Sequence, residues 1–266
     1  MTALDTKRYW EERLTREYSL GGVGWIGLGR AFNRWMYAVR WRVFARMVRD
    51  HVPLGSAARV LDIGSGTGFY LEAWQRLGVA ALEGSDLTER ATAALRVRWP
   101  GLAIHNFDAA GTPGSLPTGR YDAISAMDVL FHIVEDEGFQ RALGNLAGML
   151  APGGRLVLSE NFLALAPMSA AHQVSRTEAD IRHALREAGL EPVAMRPMFV
   201  LLNTPVDTRS RLLRLWWSLL TRTAGGSELL GFVAGAALYP LEVALTRLVR
   251  RGPSTKIMVC RRAGGS

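Results

Sequence analysis

Two hundred and sixty-six residues, 48% hydrophobic, 21% charged and 9% aromatic, exclude a disordered or fibrous chain and can bury a real core. Lysine plus arginine number 32 against 24 acidic residues, a net +8, distributed as +5 over 1–58, −4 over 59–165 and +7 over 166–266. That balance raises a nucleic-acid or membrane-surface partner, while the one cysteine, Cys260, excludes an internal disulfide and a thiolate metal cluster.

The opening MTALDTKRYWEERL mixes both signs of charge without an apolar core, so it reads as cytoplasmic rather than as a secretory signal. Residues 5–50 read as helix with a glycine-rich break at Gly21–Gly29. From Arg59 the pattern changes to short apolar runs separated by helical stretches. Arg59–Ile63 is a buried-strand pattern, followed by a glycine turn and a helix from Tyr70 to Leu77. Ala80–Leu82 leads to Asp86, then a helix Glu89–Trp99 and a third strand Leu102–His105. Tyr121–Ala126 is a fourth strand, Gly138–Leu150 a helix stopped by Ala-Pro-Gly-Gly, and Arg155–Ser159 a fifth strand. Helix Thr177–Ala188, with a capping-box spacing at Ser175 and Glu178, precedes a sixth strand, Glu191–Leu201. The apolar run Leu229–Leu241 falls short of the roughly 18 residues a spanning helix needs, so it reads as buried or interfacial. Thr255–Arg261 is the last strand. Alternation at this spacing predicts an α/β fold, a doubly wound and mostly parallel sheet.

The segment Val60-Leu61-Asp62-Ile63-Gly64-Ser65-Gly66-Thr67-Gly68 carries the most information. Its glycines let a turn leave the strand end while the backbone approaches a ligand. The GxGxG spacing differs from the GxGxxG of dinucleotide enzymes, and Asp62 beneath the loop would repel a pyrophosphate but suits an ammonium. Asp86 lies 22 positions after Gly64, near the spacing at which a carboxylate holds ribose hydroxyls.

These residues resemble the class I S-adenosylmethionine-dependent methyltransferases of the small-molecule O-methyltransferase type, over about 59–202 and 255–262. VLDIGSGTG is similar to the family's first motif, with Ser65 in the loop, and EGSDLTE to its second, with Asp86 and Leu87 at the ribose. NFDAA resembles the adenine-edge motif and implies Asp108 near the exocyclic amine with Phe107 beside it. YDAISAMDVLFHI, bringing Met127 to the cofactor, and LAGMLAPGGRLVLSE resemble the fourth- and fifth-strand motifs. The resemblance implies a seven-stranded Rossmann-like sheet, S-adenosylmethionine as cofactor, and four parts. These are an N-terminal helical cap (1–57), a cofactor-binding core (58–202), a helical insertion over the acceptor site (203–254), and the last strand with a tail (255–266).

Ligands of doubly wound sheets sit outside the strands' carboxyl ends, so Asp128, His132, Glu160 and Asn161 are the catalytic candidates. His132 is the expected general base, since imidazole titrates near neutrality. Glu160 can bind an acceptor hydroxyl, or a metal with Asp128 or His132, though no ligand spacing is diagnostic of metal and none is expected. Tyr70, Trp25, Tyr37, His172 and Arg176 are the candidate acceptor contacts. The expected reaction is methylation of a hydroxyl on a sugar, lipid-linked or secondary-metabolite acceptor. C- or N-methylation of an isoprenoid, quinone or amine is the rival, and a basic binding protein without turnover is another. No zinc spacing, RNA signature or basic tract supports nucleic acid. Arg211–Leu220 has the Arg, Leu and Trp pattern of an interfacial helix, which leaves peripheral membrane contact open.

Overall fold

The structure, a computed structural model, describes residues 3–112, 116–164, 166–170 and 172–263. The last three residues of the expected tail, 264–266, lie outside the described residues, as do residues 1 and 2 of the expected cap. Helix α1 (Ala3–Arg16), the short α2 (Leu20–Val23) and the long α3 (Gly29–His51) precede strand β1 (Arg59–Ile63). Then α4 (Phe69–Arg76), β2 (Ala81–Asp86), α5 (Glu89–Arg98), β3 (Ala103–Asn106), β4 (Tyr121–Met127), α6 (Asp136–Met149) and β5 (Leu150–Glu160) alternate. The chain continues through β6 (Met168–Ala170), β7 (Gln173–Ser175), α7 (Glu178–Glu187), β8 (Leu190–Pro197), α8 (Arg211–Gly225), α9 (Glu228–Leu248) and β9 (Lys256–Arg262).

Seven strands form one sheet in the order β3-β2-β1-β4-β5-β9-β8, and two more form the β6-β7 hairpin. Strand β1 pairs in parallel with both β2 and β4, whereas β9 runs antiparallel to β5 and β8. The expected fold class therefore holds. A β1 buried on both faces explains why Val60, Leu61 and Ile63 are all apolar rather than alternating with polar residues. Val60 joins the core under α3 and α4 with Phe44, Leu71 and Trp74, while Leu61 and Ile63 point to the opposite core with Phe139, Leu143 and Ile181. Fully burying such side chains contributes about 1.5–3 kcal/mol each. The order reverses direction at β1 and β4, and the crevice outside their carboxyl ends is where this architecture admits a ligand.

Several boundaries differ from expectation. The glycine-rich break folds, because Ser19 caps α2 by accepting from the N–H groups of Gly21 and Gly22. The sixth sheet strand stops at Pro197 rather than Leu201, since the carboxylate of Glu242 takes the N–H groups of Val200 and Leu201 at 2.7 and 2.9 Å. The expected loop before α7 contains the β6-β7 hairpin. The cap of α7 is Thr177, accepting from Asp180, while Ser175 instead accepts from Asn161 at 2.7 Å.

Candidate active site

The turn after β1 holds Gly64, Gly66 and Gly68 at φ of 66°, 53° and 84°, all in the left-handed region. At Gly64 a Cβ would stand 2.3 Å from Val129, and at Gly68 it would stand 2.3 Å from the Trp99 ring. The turn is stitched to β2: the Ser65 N–H donates to the Ser85 carbonyl and the Gly66 N–H to Asp86 Oδ2, both at 2.8 Å. The other oxygen of Asp86 accepts from the N–H and hydroxyl of Thr88 at 2.9 and 2.7 Å. Burial holds this carboxyl above its ordinary value, opposed by those donors.

A cleft of about 990 Å³, solvent-open space included, lies outside these strand ends. Gly64, Ser65 and Gly66 line it with Asp86 and Leu87 from the β2 end, Phe107 and Asp108 after β3, and Met127 and Asp128 from the β4 end. Opposite them stand Thr6, Trp10 and Leu14 of α1, Val23 of α2 and Tyr37 of α3. Three contacts fasten this cover. The Glu11 carboxylate accepts the Glu89 and Arg90 N–H groups at the start of α5, at 2.9 and 2.8 Å. The Tyr18 hydroxyl donates to the Gly66 carbonyl at 2.9 Å, and Arg13 donates to the Gly22 and Gly24 carbonyls at 2.6 and 2.9 Å.

His132 lines the same cleft, in a 3₁₀ turn after β4. Its Nδ1 lies 2.9 Å from the His172 carbonyl, which can only accept, so Nδ1 carries the proton and Nε2 the lone pair. Trp10 packs edge-on against the ring at 4.8 Å. Burial pushes its pKa down to about 4, so the ring is neutral near pH 7.

Asp128 occupies the left-handed region at φ 58°, which Asp tolerates better than most residues. Ser159 fixes it on both sides, accepting from its N–H at 2.8 Å and donating to Oδ1 at 2.7 Å. Arg40 of α3 forms an ion pair with its other oxygen and donates to the Tyr70 hydroxyl at 3.4 Å. The carboxylate that closes β4 is thus already neutralised by the cap. Desolvation raises the Tyr37 and Tyr70 phenols above their ordinary value, Tyr37 to about 12, and both line the cleft as neutral groups.

Seven expected site residues do not line the cleft. Asp62 lies beneath the glycine turn, where Ser125 donates to Oδ1 and Trp74 donates to Ser125 at 2.8 Å. Its Oδ2 has no partner among the described residues, and burial raises its pKa to about 7. Gly68 caps α4 behind the turn. Glu160 is buried at the end of β5, held well above the ordinary carboxylate range by desolvation, with Oε1 unpartnered among the described residues. Asn161, the next residue, donates to the Ser175 hydroxyl. Arg176 turns away to Asp136 Oδ1 and the Ile133 carbonyl, 2.9 and 3.0 Å distant, and lies over the Phe139 ring. His172 stacks on Tyr9 at 4.5 Å and on the His132 ring at 5.8 Å, and its carbonyl accepts from His132 Nδ1. Trp25 packs edge-on against Trp217 of α8, and no residue of 203–254 lines the cleft, so the insertion does not cover it. No cluster of His, Cys, Asp and Glu among the described residues has the makings of a metal site.

Sequence reasoning missed Trp10 and Leu14 as parts of the site. The arrangement nevertheless fits S-adenosylmethionine. The Asp86 carboxylate and the exposed loop backbone suit ribose, Asp108 and Phe107 suit adenine, and the orphaned Asp62 oxygen under the turn suits a nearby ammonium.

Comparison with known proteins bears on this geometry. A methyltransferase-domain family model matches residues 32–195, more than half of the chain. Over 125 residues the chain is 31% identical to a demethylmenaquinone methyltransferase of Thermus thermophilus, covering 46% of this chain and 54% of that protein. Over 120 residues it is 37% identical to a ubiquinone biosynthesis O-methyltransferase of Bradyrhizobium diazoefficiens, covering 44% and 45%. The aligned part thus spans about half the length of these curated relatives. The fold resembles 1,6-didemethyltoxoflavin-N1-methyltransferase of Burkholderia thailandensis, solved with S-adenosylhomocysteine, at TM-score 0.59 and 17% identity over 99% of this chain and 91% of that one. It also resembles magnesium protoporphyrin IX methyltransferase of Synechocystis with bound S-adenosylhomocysteine, at TM-score 0.58 and 18% identity over 98% and 100%. With the glycine turn, the β2 carboxylate and the reversed seventh strand in their expected places, the chain belongs to the class I S-adenosylmethionine-dependent methyltransferases.

Proposed function

We propose that this protein transfers the methyl group of S-adenosylmethionine to a hydroxyl of an apolar small-molecule acceptor, with His132 removing the proton. One observation carries the reading: a neutral imidazole lines the cleft with its Nδ1 proton committed to a backbone carbonyl, leaving Nε2 to accept. When bound, the cofactor supplies a methyl group on a positively charged sulfur, which leaves as the acceptor oxygen bonds to carbon. Asp86 holds the ribose end, Asp108 the adenine edge, and Gly64–Gly66 the space between. As the oxygen gains its methyl group its own proton becomes strongly acidic, so a base of pKa about 4 suffices for a concerted transfer. Trp10, Leu14, Tyr37 and Phe69 line the acceptor side, exclude water and favour a ring or lipid-linked acceptor over a bare sugar.

A ring carbon is the second reading, favoured by the same apolar lining and by the kinship with a demethylmenaquinone methyltransferase. The test supplies methyl-labelled cofactor with a panel of phenols, quinols and lipid-linked sugars, and identifies the product by NMR. An O-methyl product is expected; a C-methyl product alone would move the assignment to carbon. His132→Ala is expected to lower the rate by about 10²–10⁴ with S-adenosylhomocysteine affinity unchanged. Near-normal turnover in that variant would remove His132 from the mechanism.

A further inference from the structure

Helices α8 and α9 form a hairpin on the far side of α3 from the cleft, joined through Gly226 and Ser227. So short a connection makes them antiparallel neighbours. The hairpin is firmly seated. Glu228 accepts the N–H groups of Arg30 and Ala31 at 2.9 and 2.7 Å, capping α3. Trp35 packs on Phe232 and Tyr239, and Gly235 comes so close that a Cβ there would stand 2.4 Å from the Trp35 ring. Arg46 donates to the Thr246 carbonyl at 3.0 Å.

Its outer face is apolar. On α9, Leu229 (71% exposed), Val233, Leu241 and Leu248 (77%) form a stripe along 21 residues, roughly 30 Å. From Leu229 to Thr246 the only charge is Glu242, which is buried and spent on backbone N–H groups. By length and mean hydropathy, 1.6, α9 could cross a bilayer, but its inner face is taken by α3. On α8, Leu212 (78% exposed), Leu215 and Leu219 repeat the pattern.

The base of the hairpin is basic. Exposed Arg209, Arg211 and Arg214 open α8 and exposed Arg247, Arg250 and Arg251 end α9; the Asp207 N–H donates to the Pro253 carbonyl at 2.8 Å, bringing the two ends together. Among the described residues no carboxylate lies in ion-pair range of any of the six. The three acidic residues of this segment are engaged elsewhere: Asp207 with Lys256, Glu228 with α3 and Glu242 with the 200–201 backbone.

We infer that the α8–α9 hairpin lies flat on an anionic lipid bilayer, its leucine stripes in the acyl boundary and its arginines among the headgroups. The charge-free stripe matches the acyl region and the uncompensated arginines match anionic headgroups, the two halves of an interfacial anchor. The same face of a second copy would supply no free anion for those arginines, since its Asp207, Glu228 and Glu242 are already engaged. This inference stands apart from methyl transfer, since binding is read without cofactor or acceptor.

The test is co-sedimentation of the full chain with vesicles of phosphatidylcholine alone or mixed with phosphatidylglycerol. Binding is expected to the anionic vesicles at about 0.1 M salt and to fall steeply near 1 M, as screening shortens the reach of charge. Replacing Arg211, Arg214 and Arg250 by Gln is expected to lower the partition about a hundredfold, at about fivefold per charge. Leu229→Glu, Val233→Glu and Leu241→Glu together are expected to lower it at least about tenfold. Should the Glu variant fail to fold by circular dichroism, the arginine variant still decides, because its changes are at the exposed surface. No binding to anionic vesicles at low salt overturns the inference, as does equal binding by the arginine variant. A wild-type dimer that the Glu variant splits, with neither form binding vesicles, reassigns the face to self-association.

Discussion

Asp62 lies in β1 and His132 in the turn after the neighbouring β4, and burial moves their proton affinities in opposite directions, up to about 7 and down to about 4 respectively. From the ordinary imidazole value of 6.5 down to 4, the unfolded chain binds a proton at His132 that the folded chain refuses, so this group weakens folding as pH falls through that window. Asp62 does the reverse. Between 3.8 and about 7 the folded chain keeps a proton that the unfolded chain has lost, so its contribution weakens as pH rises. Denaturant unfolding across these pH values should show wild type gaining on His132→Gln from pH 4 to 6.5 and losing to Asp62→Asn from 3.8 to 7. Flat differences would contradict both assignments. The Arg40–Asp128 pair makes a separate prediction, with side chains 12% and 27% exposed. Arg40→Met should cost about 2 kcal/mol by stranding the carboxylate, and Asp128→Asn in the same chain should recover part of that loss.

The glycine turn and the cap are the elements that shape the cleft. Gly64→Ala puts a side chain at φ 66° and against Val129, a cleft residue, and should cost about 1–3 kcal/mol while abolishing the thermal stabilisation given by S-adenosylhomocysteine. Glu11→Ala should cost only about 1 kcal/mol, the value of a cap, but loosen α1 and weaken cofactor binding severalfold. The contrast shows which parts of the site were legible in the sequence. Strand ends, glycine turn and Asp86 are local signals, because a buried parallel strand, a left-handed turn and a terminal carboxylate each leave a mark within a few residues. Trp10 and Leu14 reach the cleft, and Arg40 the Asp128 carboxylate at its edge, only because α1 and α3 fold back over the sheet, and helical periodicity does not say which neighbour a face will meet. Trp25 and Arg176 were misjudged for that reason: aromatic and guanidinium groups suit a binding pocket, but here one packs on Trp217 and the other braces the loop after β4. The β6 and β7 strands, three residues each, are too short to carry a period.

At the scale of the whole molecule, the mildly acidic centre holds Asp62, Asp86 and Asp108 at the cofactor end of the sheet, and the basic excess lies in the attachments. Those attachments divide the work. The N-terminal helices close the cleft, whereas the 203–254 segment packs behind α3 and faces outward. Helix α3 serves both, offering Tyr37 and Arg40 to the site and Trp35 and Arg46 to the hairpin. The account rests on the cleft being a cofactor site organised around Asp86. Calorimetric titration of S-adenosylhomocysteine into wild type and Asp86→Ala tests this most directly. We predict one site per chain in the wild type and an affinity about 10–100-fold lower in the variant, the worth of hydrogen bonds to a charged acceptor. Absence of binding to the wild type, or an affinity indifferent to Asp86, would contradict it.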